Sequence, residues 1–355
     1  MIDSMRPAIL AALLSALLFG ASTPLAKVLL AQVPPLALAG LLYLGAGLGL
    51  TLLRWVWRGI GRERTSQEAP LAGSDWWWLA GAILVGGVVA PVLLMLGLAH
   101  TQASSAALLL NLEGVFTALL AWFVFHENVD RRVATGFFLI AGAGFLLSWE
   151  GAPAAGLPLG ALAVIAACLA WAVDNNLTQR VSGSDPMQVA GLKGLVAGGI
   201  NLTIAILTGW TPPAALVVVA ALGVGLLGYG VSLSLFVWAL RHLGTARTGA
   251  YFSVAPFFGA ATGVVLLAER PGALFWAAAV LMGVGVWLHV TERHDHPHRH
   301  DRLTHMHMHR HDEHHHHAHP DGWDGGEPHA HRHEHAPLVH THPHCPDLHH
   351  RHGHG

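Results

Sequence analysis

Apolar runs of about twenty residues follow one another through the first 290 positions, broken by short polar or Pro/Gly-rich stretches. A hydrocarbon core about 30 Å thick takes about 20 apolar residues per helix. On that measure the pattern predicts ten membrane-spanning helices, near residues 8–31, 35–53, 76–98, 102–125, 133–149, 157–178, 187–207, 214–240, 248–268 and 272–290. The breaks carry the expected chemistry: Val33-Pro34-Pro35, Arg58–Asp75, His126–Arg132, Gly151–Pro153, Ser182–Pro186, Thr211–Pro213, Arg241–Arg247 and Glu269–Gly272. The period-two alternation of a membrane barrel is missing, which leaves helices as the spanning element. The first run, Ala8 to Ala31, is longer than the apolar region of a signal peptide and reads as a retained helix.

Composition agrees with a chain immersed in lipid. Of 355 residues, 53% are hydrophobic and 11% charged, where soluble domains carry roughly 25% charge. The expected fold is all-α and integral to the membrane. Cys168 and Cys345 are the two cysteines, too few for a disulfide framework. Lys and Arg set the orientation. With the N-terminus cytoplasmic, Arg54, Arg58, Arg62, Arg64, Arg131, Arg132, Arg180, Arg241, Arg247 and Arg293 all fall inside, while Arg270 falls outside and Lys27 lies near an outer helix end. The expectation is a multi-pass protein of the inner or plasma membrane with both termini in the cytoplasm.

The chain also repeats itself. A shift of 142 residues lays His100 on His242, Ala118 on Ala260 and Glu127 on Glu269, and a shift of 151 lays Pro35, Ala39, Gly40 and Leu41 on Pro186, Ala190, Gly191 and Leu192. Two blocks of five helices result, residues 1–150 and 151–293, followed by a tail over 294–355. Five is odd, so the second block enters the membrane inverted, a recurrent build of secondary transporters. The stretch Leu240-Arg241-His242-Leu243-Gly244-Thr245-Ala246, then Pro256, then Ala268-Glu269-Arg270 resembles the end of an EamA-type repeat of the drug/metabolite transporter superfamily. The first half echoes it through His100, Ser104-Ser105-Ala106, His126-Glu127, Gly136, Gly142 and Gly144. Gly114 stands where Pro256 stands in the second half, so a proline kink is expected in the second half alone. The resemblance covers about residues 8–290. It implies a ten-helix, two-repeat carrier of small molecules that works by alternating access, as a proton-coupled exporter or an exchanger.

Within the spans, polar side chains are the candidates for chemistry. Glu113 falls about halfway along its predicted helix, where an acid costs on the order of 2.5–3.5 kcal/mol and needs a partner, water or a proton. It reads as a proton-coupling carboxylate or as the ligand of a cationic group; the plainer alternative is a neutral side chain hydrogen-bonded between helices. Asp174 and Lys193 sit at comparable depth on either side of the loop between helices six and seven, within reach of an ion pair. That pair either lines a cavity or locks two helices. With Asn175, Tyr251 and Ser253 these residues make up the candidate substrate and coupling site, and Asn176 adds a further amide. Glu127 and Glu269 read as solvated helix ends, His100 and His242 as interfacial caps, and the glycine runs as close-packing positions.

Residues 294–355 hold 24 of the 28 histidines. The runs His305, His307, His309, His311, then His314, His315, His316, His317, then His329, His331, His333, His335 lie among Pro, Gly and Asp, and apolar residues are too few for an independent core. The tail is expected to be disordered and cytoplasmic. Imidazole suits zinc, nickel, cobalt or copper, and Cys345 adds a softer ligand. No serine elbow, nucleotide loop or HExxH appears, so enzyme activity is not expected. The functional expectations are a permease or exporter for a small organic metabolite or toxic compound, a transition-metal efflux carrier with the tail as metal collector, and a membrane anchor for a metal-buffering tail. A small-molecule substrate and the lipid bilayer are the expected partners, a homodimer is compatible, nucleic acid is not expected, and no cofactor is required beyond metal ions on the tail.

Overall fold

The structure, a computed structural model, describes residues 2–59, 73, 75–125, 131–150, 159–179, 181, 186–243, 248, 251–290, 297–300, 303–309, 329–335 and 338–341. Up to Val290 the described residues are helical, with short turns between helices. The long helices are α1 (Ile2–Leu29), α2 (Pro35–Gly59), α3 (Asp75–His100), α6 (Arg131–Glu150), α7 (Leu159–Gln179), α8 (Pro186–Leu207) and α9, which runs from Ala215 to Leu243. Shorter ones are α4 (Ala103–Leu109), α5 (Leu112–Phe125), α10 (Ala255–Leu266) and α11 (Ala273–Val290). Among the described residues six helices are both long and apolar enough to cross a membrane, and Ala134–Leu147, Ala255–Leu266 and Ala273–Leu288 are shorter apolar helices. Many large apolar side chains point outward, among them Trp77, Phe138, Leu207, Leu216 and Val265, which suits a surface facing hydrocarbon.

Two of the predicted spans are interrupted. The 102–125 run is broken at Leu110–Asn111, between α4 and α5. The 248–268 run is broken at Ser253–Val254, ahead of α10, with Pro256 in the first turn of that helix. The sequence places a kink only beside the proline, yet the first half breaks at the matching place without one. There Asn111 Nδ2 donates to the Leu108 carbonyl at 3.0 Å, a local bond of the type that lets short amide side chains compete with helix continuation. The break also relocates Glu113. Instead of standing mid-helix it occupies the first turn of α5, where the helix dipole favours a carboxylate.

Two other helices carry π-helical turns, Ile83–Val89 in α3 and Leu226–Val231 in α9. The repeat shift of 142 lays Gly86 in the first on Gly228 in the second.

Helix contacts rest on small residues. A Cβ on Gly47 would lie 2.7 Å from the Gly194 carbonyl carbon, and one on Gly198 would lie 2.8 Å from the Leu44 Cα, so α2 and α8 touch backbone to backbone. In lipid, where apolar burial gives no drive, close van der Waals approach supplies the association. A second such contact joins α1, α4 and α10: a Cβ on Gly20 would meet Gly259 N at 2.8 Å, and one on Gly259 would meet Ala107 Cβ at 2.8 Å. Helices α1 and α9 are tied by a reciprocal pair, Ser15 Oγ to Ser232 O at 2.7 Å and Ser232 Oγ to Ser15 O at 2.9 Å.

The α3–α4 connection is pinned by two charges from elsewhere. Lys27 Nζ donates to the carbonyls of Leu98, Ala99 (3.2 Å) and Thr101 (3.0 Å), closing the C-terminal end of α3. Glu269 accepts from the N–H groups of Ala103 at 2.7 Å and Ser104 at 2.9 Å, capping the start of α4. Glu269 is therefore a long-range cap, where the sequence suggested a solvated end, and Lys27 is its complement at the outer helix end where the sequence placed it.

In the tail, residues 297–300 pair antiparallel with 338–341, and 303–309 with 329–335. The sequence led us to expect no regular structure there; the period of two in His-x-His suits an extended backbone. His311, His314, His315, His316, His317 and Cys345 lie outside the described residues.

Because Glu269 caps α4 from a distant part of the chain, Glu269→Ala should lower stability by about 0.5–2 kcal/mol, the usual cost of losing an N-terminal cap, and Glu269→Gln should fall in between. Thermal unfolding of the purified protein in detergent would show it; an unchanged midpoint for Glu269→Ala would remove the capping role.

Candidate functional site

The polar residues singled out in the sequence converge. Lys193 of α8 forms an ion pair with Asp174 of α7, and Thr178 Oγ1 donates to Asp174 Oδ1 at 3.0 Å. Asp174 is 4% exposed, so its charge is held almost wholly by these two groups. Asn175 follows it in α7, and Asn175 Nδ2 donates to Glu113 Oε1 at 2.8 Å and to Thr117 Oγ1 at 3.3 Å. Asn176 also ties α7 to α5, donating to the Thr117 carbonyl at 3.4 Å and to the Ala172 carbonyl at 2.8 Å. Among the described residues no cationic side chain lies within ion-pair distance of Glu113.

The π turn of α3 makes room for this arrangement. Ala90 N–H bonds five residues back to Val85 O, and the next donor in that register would be Pro91, which has no N–H. The Gly86 carbonyl is thus left to side chains, accepting from Tyr43 Oη at 2.9 Å and Trp171 Nε1 at 3.0 Å. Gly86 is needed for a second reason, because a Cβ there would overlap the Asp174 carboxylate. Sequence inspection grouped Gly86 with the packing glycines and missed that it accommodates the buried ion pair.

Around these groups lies a cavity of about 320 Å³, bounded by Glu113, Trp171, Asn175 and Lys193 and by a chain of aromatic rings. Tyr43 stands 5.8 Å from Tyr229, Tyr229 5.8 Å from Phe19, Phe19 5.5 Å from Phe252, and Phe252 4.9 Å from Phe236. Tyr229 belongs to the second π turn, whose Gly228 abuts Ser22 of α1. The cavity reaches Leu50, Ala190 and Phe236, toward the arginine-bearing ends of α2 and α9 and the N-terminal end of α8. None of these lining aromatic residues was singled out from the sequence, although Tyr43 and Tyr229, two of the three tyrosines, stand deep in apolar runs where a hydroxyl needs a partner.

A neighbouring cavity of about 260 Å³ lies where the two helix breaks face each other, lined by Leu110, Asn111, Gly114, Ser253, Pro256 and Val286 among others. Glu113, Phe19 and Phe252 border both cavities. Ser253 thus belongs to the second cavity. Tyr251 lines neither; it packs beside Ala8, Ala11, Ala12 and Ala239. Among the described residues no three His, Cys, Asp or Glu side chains converge as a metal-holding group.

A model of the EamA-like transporter family matches this chain twice, over residues 6–149 and 158–291. The chain belongs to that family. The two EamA matches coincide with the two halves of the molecule on either side of the undescribed 151–158 stretch. Among curated proteins, it is similar to an uncharacterized transporter of Methanothermobacter thermautotrophicus, at 31% identity over 283 residues, 76% of this chain and 82% of the relative. A shorter likeness, 36% over 92 residues, covers 26% of this chain and 75% of a probable 4-amino-4-deoxy-L-arabinose-phosphoundecaprenol flippase subunit, ArnE, of Pseudomonas fluorescens. A crystal structure matches the fold with a TM-score of 0.57 at 20% identity, over 79% of this chain and 94% of the other. This EamA-family chain is a multi-pass membrane transporter.

The contact between Gly86 and Asp174 gives a test of the site's architecture. Gly86→Ala should force the carboxylate off its place and cost about 1–3 kcal/mol, the range for overpacking a closed interior. The Lys193 amine should become more reactive toward a membrane-permeant acylating reagent, read by mass spectrometry. Equal labelling in Gly86→Ala and wild type would show that the ion pair does not depend on the missing Cβ.

Proposed function

We propose that this protein is a secondary transporter that moves a small organic solute bearing a positively charged group, with Glu113 as the residue where solute and proton compete. The observation that carries the reading is the 320 Å³ cavity, in which an acid held by one amide faces aromatic rings with no cationic side chain paired to it among the described residues. Lys193 is neutralised by Asp174, so the cavity wall is left with one acidic group. A lone acid in a low-dielectric site binds either a proton or a cation, and aromatic faces add cation–π attraction. Taking one in place of the other couples the two flows.

The carrier reading includes ten crossings arranged as two inverted repeats, with both termini cytoplasmic. Several features support the repeat. The π turns of α3 and α9 fall at positions related by the 142-residue shift, and the helix breaks fall within one residue of it. Under the 151-residue shift Gly47 corresponds to Gly198 and Tyr43 to Gly194. Gly47 packs on Gly194 while Gly198 packs on Leu44, one residue from Tyr43, which approximates the self-complementary contact that a two-fold relation produces. In this arrangement the 320 Å³ cavity faces the cytoplasm, and the α1–α4–α10 contact with its Lys27 and Glu269 caps closes the outer side.

Proteoliposomes loaded at one pH and diluted into another test the coupling. The wild-type protein should drive uptake of an organic amine against its gradient when the pH step is imposed, and Glu113→Gln should abolish the pH-driven component. Retained pH-driven uptake in Glu113→Gln would dismiss Glu113 as the coupling group.

A second reading rests on the tail, whose alternating histidines make it a collector of zinc, nickel, cobalt or copper for an efflux carrier. A strain lacking the protein would then be sensitive to one of those metals, and a version trimmed of residues 294–355 would restore less tolerance than the full chain. Equal tolerance from the trimmed and full proteins would dismiss this reading.

A further inference from the structure

Glu113 stands on the wall between two cavities of different character. On one side lie the aromatic rings and the Asp174–Lys193 pair. On the other lies the 260 Å³ space between the two helix breaks, whose lining is dominated by Leu110, Val115, Ile140, Phe252, Pro256 and Val286. A solute whose charge sits on Glu113 therefore has room for an apolar body in the second space. Helix α5 packs chiefly on α7, and α10 on α1 and α4, so the two broken spans leave between them the volume that a continuous, mutually packed pair would fill. Gly114 borders this space: it is exposed, and a Cβ built on it would meet nothing within 4 Å. The position next to the acid is thus kept empty by the smallest residue, although no neighbouring atom excludes a larger one. In a helix a glycine costs roughly 0.5–1 kcal/mol relative to alanine, so its presence gains nothing for the fold.

We infer that the cavity between the helix breaks is a subsite for the apolar part of an amphiphilic organic cation, and that Gly114 sets the size of apolar group admitted. The inference rests on the reading of Glu113 as the site of the positive group. The substrate class is then an amine or quaternary ammonium joined to an alkyl or aryl body. Its charge lies against Glu113 with the ring faces of Phe19 and Phe252 alongside, and its apolar body runs between Asn111 and Pro256. A hydrophilic cation would use the larger cavity alone.

The test is binding of a homologous series, tetramethylammonium and n-alkyltrimethylammonium ions up to octyl, to the full-length protein in lipid nanodiscs, with empty nanodiscs subtracted. For the wild type the affinity should rise by about fourfold per added methylene, as for burial of about 0.8 kcal/mol each, until the subsite is full. Gly114→Leu should flatten that rise, weakening the octyl compound by at least about tenfold, the loss of two or more buried methylenes, while tetramethylammonium binds as before. Gly114→Ala should fall between them. Gly199→Leu is the matched control, because Gly199 is another glycine with open space at its Cβ and borders neither cavity.

A rise that is the same in Gly114→Leu and wild type would overturn the subsite, as would equal losses for tetramethylammonium and the octyl compound. Failure of the underlying reading looks different: Glu113→Gln would then bind every member of the series as tightly as the wild type. Weakening of all members by Glu113→Gln, together with chain-length selectivity lost only in Gly114→Leu, would establish both.

Discussion

Hydrocarbon supplies no hydrogen-bond partner, so every backbone polar group within the spans must be satisfied by another part of the protein. The interior follows from that requirement. A π turn that meets Pro91 frees the Gly86 carbonyl, and Tyr43 and Trp171 come from two other helices to donate to it. Asp174 lies where a Cβ on Gly86 would be, and it holds Lys193 and Thr178. Asn175, one residue along, turns to Glu113. Helices α2, α3, α5, α7 and α8 are joined through this one network, and its position decides where the cavity lies. Removing Lys193 leaves the buried Asp174 carboxylate without its counter-charge, which costs more than the bond itself contributes.

Close packing of backbones is the complementary device. Glycines on α2 and α8 bring those helices into direct contact, and Gly20 and Gly259 do the same for α1 and α10. At the α2–α8 contact Leu195 and Leu202 of α8 also seat against Gly47 and Gly40 of α2, so side chains fill the space that the missing Cβ atoms leave. The two charged caps are different. Lys27 and Glu269 bind the carbonyl and amide ends of the α3–α4 connection, and these bonds break if that end opens.

How much of this the sequence carried depends on the feature. The apolar runs gave the membrane class directly, because length and hydropathy are all that a span requires. Asp174 and Lys193 were legible as a pair because distance from a shared loop fixes depth. Glu113 stood out as an acid among leucines. The π turns were hidden, since one extra residue in a helix leaves the hydropathy of the run unchanged. The break at Leu110–Asn111 was hidden because no proline marks it, and with it went the first-turn setting of Glu113. Glu269 was misread because its partners, Ala103 and Ser104, are more than 160 residues away and contribute backbone N–H groups that no residue type reveals. Tyr251 was grouped with the candidate site, whereas it packs beside small alanines and borders neither cavity. The aromatic lining was passed over because a phenylalanine inside a membrane run resembles any other packing residue.

The charge balance of the cavity wall constrains what it can hold. Lys193 is bound by Asp174, so drawing its ammonium toward an incoming anion would strand a carboxylate that is 4% exposed. Breaking a buried pair in that way costs on the order of 3–5 kcal/mol. An anion would also face Glu113: at about 4 Å and an effective dielectric near 20, two like charges repel by about 4 kcal/mol. A cation at the same place gains a similar amount and leaves the ion pair intact. On the proposed reading of Glu113 as the ligand of a cationic group, the difference, several kcal/mol in favour of one positive charge, arises from which acid has a permanent partner. Moving the amine from α8 to a place beside α5 would pair Glu113 and leave Asp174 as the unpartnered acid, so the preference for a positive charge would shift to Asp174 without altering the number of charged groups in the wall.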